Sequence, residues 1–128
     1  MLAITVKTIR DIGVVVVEGD ADHGVRKTLR ETVAAALARG PRALVVDLTE
    51  VRFFGSAGLS VLAWLHQAAG AAGIEVTLVA TRRSVLRPMS VTRIDDLFGI
   101  HSTLAQAVEH HGGSPPANTV EPGGGRLS

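Results

Sequence analysis

Residues 44–59 read Leu44-Val45-Val46-Asp47-Leu48-Thr49-Glu50-Val51-Arg52-Phe53-Phe54-Gly55-Ser56-Ala57-Gly58-Leu59. Ala43–Leu48 is an apolar run broken by a single acid, the pattern of a buried strand. Val51-Arg52-Phe53-Phe54 leads from it into a small-residue turn at Ser56. From about Ala57 to Ala71 the chain carries Leu59, Val61, Leu62, Trp64, Leu65, Ala68 and Ala69. This is a helix that is apolar on more than one side, so it should be largely covered by protein. Ala-Gly-Ala-Ala-Gly at 69–73 ends it, and Ile74–Ala80 alternates as another strand. Strand, helix and strand in that order imply a right-handed crossover and a parallel sheet.

Upstream, Ala3–Ile9 alternates Ile4, Val6 and Thr8 against Thr5, Lys7 and Ile9, an amphipathic strand. Asp11-Ile12-Gly13 offers a turn, and Val14–Val17 is a β-branched run. Two strands so closely joined predict an N-terminal β-hairpin. Gly19-Asp20-Ala21-Asp22 breaks the strand pattern, with Asp22 as a helix N-cap. The helix that follows has Val25, Leu29, Val33 and Leu37 on one stripe, and Gly40-Pro41 stops it. Downstream, a short helix is expected within Ser84–Val91. Pro88 makes it start there or kink there. Leu97–Ile100 is a short edge strand, and Ser102 caps a last helix, Thr103–His110. The order ββαβαβα(β)α predicts an α/β fold: a four- or five-stranded mixed sheet with an antiparallel N-terminal hairpin and about four helices.

The chain's 128 residues and 46% hydrophobic content suit one globular domain, expected over 1–111. Residues 112–128, GGSPPANTVEPGGGRLS, are too poor in apolar groups to offset the entropy of ordering and are expected to be a flexible tail. No apolar run has the roughly 18 residues of a membrane span, the start alternates as a strand does and not as a signal peptide, and there is no cysteine. A cytoplasmic protein without membrane contact is the expectation. A net charge of +1 and 3% aromatic content give no electrostatic or stacking footprint for nucleic acid. Among the histidines His23, His66, His101, His110 and His111, none pairs at a familiar ligand spacing except the adjacent pair at 110–111, which sits at a helix end, where a cation complementing the dipole is the reading preferred to a metal site. No metal and no cofactor of its own is expected.

Ser56 leaves three chemical possibilities. A hydrolase nucleophile also sits on a strand-to-helix turn, but as G-x-S-x-G. Here Phe54 stands two positions before Ser56, and no acid is clearly placed to orient His101 as a base. A second possibility is a plain helix cap. A third is a switch: Gly55, Ala57 and Gly58 add almost no bulk, so Ser56 is open to any surface that docks on the turn. A phosphate there would meet free helix N–H groups and would bring about −1.5 to −2 charges into a neutral contact surface.

At these residues the chain resembles the STAS domain of anti-sigma factor antagonists, or anti-anti-sigma factors. The family pattern is a hydrophobic strand, D-L-[ST]-x-V-x-F-x-[DG]-S-[AS]-G-L, then a helix, and Val45 to Leu59 follow it almost throughout. Gly19-Asp20-Ala21-Asp22 is similar to the family's G-x-[LV]-D turn, and Val91 to His101 to its L-T-G-L-D-x-L-F-x-I-x stretch. The resemblance spans about residues 3–110. It implies a non-enzymatic switch that binds an anti-sigma factor with serine kinase activity while unphosphorylated, so freeing a sigma factor. Phosphorylation at Ser56 would break the complex, a PP2C-type phosphatase would restore it, and ATP would belong to the partner. The implied surface comprises Asp20, Asp22, His23, Gly55, Ser56, Ala57, Gly58, Leu59, Arg82 and Arg83, on a monomer or weak dimer. Asp20 and Asp22 would help with the kinase's Mg²⁺–nucleotide or simply form the turn and cap. Arg82 and Arg83 would meet acidic partner groups or stay solvated. Three departures stand out: Gly55 where many members have Asp, Arg93 where Gly is usual, and Pro88 in the short helix. Gly55 and Pro88 are what would favour an unphosphorylated scaffold or ligand-sensing module, and a small serine hydrolase is the third alternative.

Overall fold

The computed structural model describes residues 2–21 and 25–112. Its elements are β1 (Leu2–Ile9), β2 (Ile12–Ala21), α1 (Arg26–Ala38), β3 (Ala43–Phe54), α2 (Ser56–Ala72), β4 (Glu75–Val79), α3 (Arg83–Val91), a 3-10 turn (Ile94–Asp96), β5 (Gly99–His101) and α4 (Leu104–His110). The five strands lie in the order β1-β2-β3-β4-β5. The β1–β2 pair is antiparallel and the other three pairs are parallel. This is the mixed sheet with an N-terminal hairpin that the element order predicts.

Alternation along the strands divides the core in two. Val15 and Val17 of β2, with Leu44, Val46 and Leu48 of β3, face α1, α2 and α3. Val14, Val45 and Val79 face the other way and pack against Ala107 and Val108 of α4. Three helices therefore cover one face and a single short helix covers part of the other.

Several boundaries differ from the sequence-based expectations. The hairpin turn is Arg10–Asp11, both at positive φ (51° and 68°), and Ile12 and Gly13 already belong to β2. Two residues at positive φ match the twist of the flanking strands, which is why such a turn closes a hairpin. Strand β2 runs through Gly19 and Asp20 because Gly19 absorbs a bulge at φ 106°. Strand β3 is continuous for 12 residues. Asp22, the expected cap of α1, lies outside the described residues, and Val25 in the cap position makes no side-chain cap bond.

Helix α3 neither starts at Pro88 nor stops before it; it runs from Arg83 through Pro88 to Val91. Arg93 then takes φ 66°, the left-handed conformation that a glycine adopts freely. A 3-10 turn occupies the next residues, so β5 begins at Gly99 and not at Leu97. Thr103, not Ser102, caps α4, its hydroxyl accepting from Gln106 N–H at 3.1 Å. Helix α2 buries Val61, Leu62, Leu65 and Ala69 but leaves Ser60, Ala63 and Gln67 exposed, so it is covered on one side only.

Candidate functional site

The site is built where β3 outruns its neighbour. Strand β4 pairs with β3 only from Ala43 to Asp47. Beyond that point β3 continues beside β2 alone, and it does so through two bulges. Between the pairs Val16–Asp47 and Glu18–Glu50, β2 advances two residues and β3 three. Between Gly19–Val51 and Asp20–Phe53, β2 advances one and β3 two, leaving Arg52 as the extra residue.

Each bulge is braced. The buried Asp47 carboxylate accepts from Thr49 N–H at 3.0 Å and from the Thr49 hydroxyl at 2.8 Å. The carbonyls of Thr49 and Arg52 are taken up by the start of α3. Arg82 Nε donates to Thr49 O at 3.1 Å, and the Ser84 hydroxyl donates to Arg52 O at 2.8 Å. Backbone groups that a regular ladder would pair thus find side-chain partners.

The second bulge also decides which phenylalanine faces solvent. Strict alternation from buried Val51 would bury Phe53 and expose Phe54. One extra residue reverses the phase. Phe54 is 2% exposed and Phe53 is 53% exposed. Phe54 then closes over the next turn: a Cβ on Gly58 would lie 2.6 Å from its ring. Glycine at 58 is what lets α2 start this close to the end of β3.

Gly55 is the N-cap residue, in extended conformation, and Ser56 is the first residue of α2. The first helical bond is Leu59 N–H to Gly55 O at 3.1 Å. The N–H groups of Ser56, Ala57 and Gly58 therefore have no acceptor within the helix. Ser56 is exposed, and among the described residues its hydroxyl has no hydrogen-bond partner, so it is not a cap. Nor does a base touch it. The ring of His101, on β5, packs instead against that of His110, with centroids 5.2 Å apart.

The other expected surface residues are placed unequally. Gly55, Ala57, Gly58 and the half-buried Leu59 form the turn with Ser56. Asp20 pairs in register with Phe53 and forms an ion pair with Arg52 at 3.6 Å. Arg82 is engaged by Thr49 and lies 3.9 Å from Glu50, so it braces the fold. Arg83 is exposed and makes no ion pair among the described residues. Asp22 and His23 lie outside the described residues. Sequence reasoning missed Thr49, Arg52, Phe53 and Ser84. The D-L-T triplet was a usable signal, because an acid two residues before a threonine can brace a bulge, but nothing local marks Ser84.

Comparison with known proteins agrees with this geometry. The family model for the STAS domain matches residues 3–107. The chain belongs to the STAS-domain family. Among curated STAS-family relatives, the anti-sigma-F factor antagonist RsfB of Mycobacterium tuberculosis is 31% identical over 107 residues, covering 84% of this chain and 87% of that one. An anti-sigma factor antagonist from Mycobacterium paratuberculosis superposes with a TM-score of 0.81 at 31% identity, over 86% of this chain and 93% of that one. SpoIIAA in its unphosphorylated form shares the STAS fold at a TM-score of 0.75 and 16% identity, over 88% of this chain and 99% of that one. That protein has also been solved in a phosphorylated form. Among the described residues no helix is long and apolar enough to cross a membrane.

Proposed function

We propose that this protein is an anti-sigma factor antagonist of the cytoplasm, a binding module and not an enzyme, switched by phosphorylation of Ser56. The observation that carries it is the state of that side chain: exposed, unbonded among the described residues, first in its helix and flanked by Gly55, Ala57 and Gly58. Among the described residues, nothing shields the hydroxyl from an incoming kinase. The relatives named above as antagonists support an anti-sigma factor as the partner; its serine kinase activity is what the resemblance to the family implies.

The mechanism follows from charge. In the unmodified state the docking surface is Phe53, the Ser56 turn and Leu59, an apolar patch rimmed by Asp20 and Arg83. Phe53 supplies a large exposed aromatic of the kind that anchors interfaces. A phosphate on Ser56 would lie beside the free N–H groups of the first helical turn, which favour an anion. The same charge would have to be desolvated for the partner to dock, so the complex weakens. A PP2C-type phosphatase would reset the switch.

The test uses the anti-sigma factor captured with the wild-type chain. Incubation with that partner and ATP should add one phosphate by intact mass, and Ser56→Ala should abolish the addition. Ser56→Asp should weaken the complex at least tenfold, whereas Ser56→Ala should bind as wild type does. A complex that forms without any phosphate transfer would favour an unphosphorylated scaffold, a reading to which Gly55 lends weight because many family members have Asp there. Equal binding by all three proteins would overturn the switch.

A further inference from the structure

At the opposite end of the sheet from Ser56, three ligand-type side chains converge. Glu75 opens β4 beside Ala43, the first residue of β3, whereas Ser56 follows the last. The 12 residues of β3 span roughly 35–40 Å at about 3.3 Å each. The two places are therefore physically separate. His110 Nε2 lies 3.0 Å from one Glu75 oxygen, and His111 Nδ1 lies 3.7 Å from the other. The donor atoms of all three residues fall within 4.8 Å of one another. A tetrahedral ion with bonds of about 2.0–2.1 Å needs donors about 3.3–3.5 Å apart, so only small side-chain adjustments separate this cluster from a ligand set.

The surroundings match what a metal-binding histidine requires. His111 is buried, and its second nitrogen, Nε2, lies 2.9 Å from the hydroxyl of buried Thr77. In the tautomer that donates Nε2–H to Thr77, the Nδ1 lone pair is free on the Glu75 side. His101 stands beside this cluster without belonging to it. Its ring packs 5.2 Å from that of His110, and its Nε2 is buried with no hydrogen-bond partner among the described residues.

We propose that Glu75, His110 and His111 bind one Zn²⁺ ion. Two imidazoles and a carboxylate, with no thiolate in the chain, favour zinc over the oxygen-seeking Mg²⁺ and Ca²⁺. The ion would tie the start of β4 to the end of α4. Arg42 already holds that end, donating to the carbonyls of His111 at 2.6 Å and Gly112 at 3.3 Å. The site is structural in this account and leaves the Ser56 surface free.

Untagged full-length protein, stripped with a chelator, would be titrated with ZnCl2 by calorimetry beside Glu75→Gln and His110→Ala. Both substituted side chains are exposed, so both variants should fold, and circular dichroism checks that they do. The expected result is one equivalent of zinc bound with micromolar or tighter affinity. Each variant should bind at least tenfold more weakly. Saturating zinc should raise the Tm of wild type and not that of Glu75→Gln. The proposal is overturned by an absence of saturable binding, or by undiminished affinity in the two variants, either of which leaves Glu75 and His110 as an ordinary surface ion pair.

Discussion

Ser56 owes its properties to residues that do no chemistry. Phe54 is buried against the turn, and Gly58 is the only residue type that tolerates its ring at that distance. Replacing Gly58 by Ala should drive a methyl group into the Phe54 ring, where contacts would shrink to 2.6–2.9 Å. Overpacking of this kind costs about 1–3 kcal/mol, read as a lower midpoint in urea denaturation. The general preference for Ala over Gly within helices should be overridden here. An unchanged or higher midpoint would mean that Phe54 can move aside and that the glycine serves the partner instead of the fold. Motif matching registers S-x-G as a string, while the distance to Phe54 gives the physical reason for its glycine.

The elements matter through their junctions more than through their interiors. Strand β3 delivers the turn only because its two bulges are satisfied from outside, and the start of α3 supplies two of the bonds. Ser84→Ala removes the donor to Arg52 O, a bond in an exposed setting, so the loss in stability should be modest, about 0.5–1 kcal/mol. Its effect should be local as well. Hydrogen exchange of the amides at 52–57 should quicken by several fold while amides of the paired section 43–47 keep their protection. Equal acceleration in both segments would show that α3 stabilises the sheet generally and does not brace the exit of β3. Pro88 fits beside this function without harm. It falls after the bonded residues Arg82 and Ser84, and α3 still packs Val85 and Met89 into the core.

For the whole molecule, the two ends of the sheet carry different electrostatics. The Ser56 end holds exposed ion pairs, Asp20 with Arg52 and Glu50 with Arg82, which contribute little and are screened by salt. The Glu75 end holds the one buried histidine among the described residues. Burial lowers the His111 pKa below its ordinary value of 6.5, outweighing the attraction of Glu75. The unfolded chain therefore binds the proton more readily than the folded one. Stability is fully present above pH 6.5 and falls as the pH drops below that value towards the folded pKa. The hydrogen bond from His110 lowers the Glu75 pKa below 4.5, so a further loss is expected only in stronger acid. In chelator, the Tm should decline between pH 7 and pH 5, and His111→Asn should flatten that decline. A slope unchanged by the substitution would place the titration elsewhere.

The sequence by itself determined the element order, the hairpin, the crossover topology and the position of Ser56 at a strand-to-helix turn. These follow from periodicity and from glycine and proline placement, which act over a few neighbouring residues. It also carried the family pattern, whose D-L-T and S-x-G parts are local constraints. Only the tertiary structure decided the rest. The phase of Phe53 and Phe54 depends on a bulge defined against β2, a strand more than 30 residues away in the chain. Arg82 and Ser84 brace β3 from 33 and 32 residues away. Glu75 and His110 meet across 35. Such contacts have no local signature, because they are selected by packing and by the need to pair every buried polar group. Ser56, too, is legible as a candidate switch, but its freedom from any bond among the described residues could be seen only once the surrounding chain was in place.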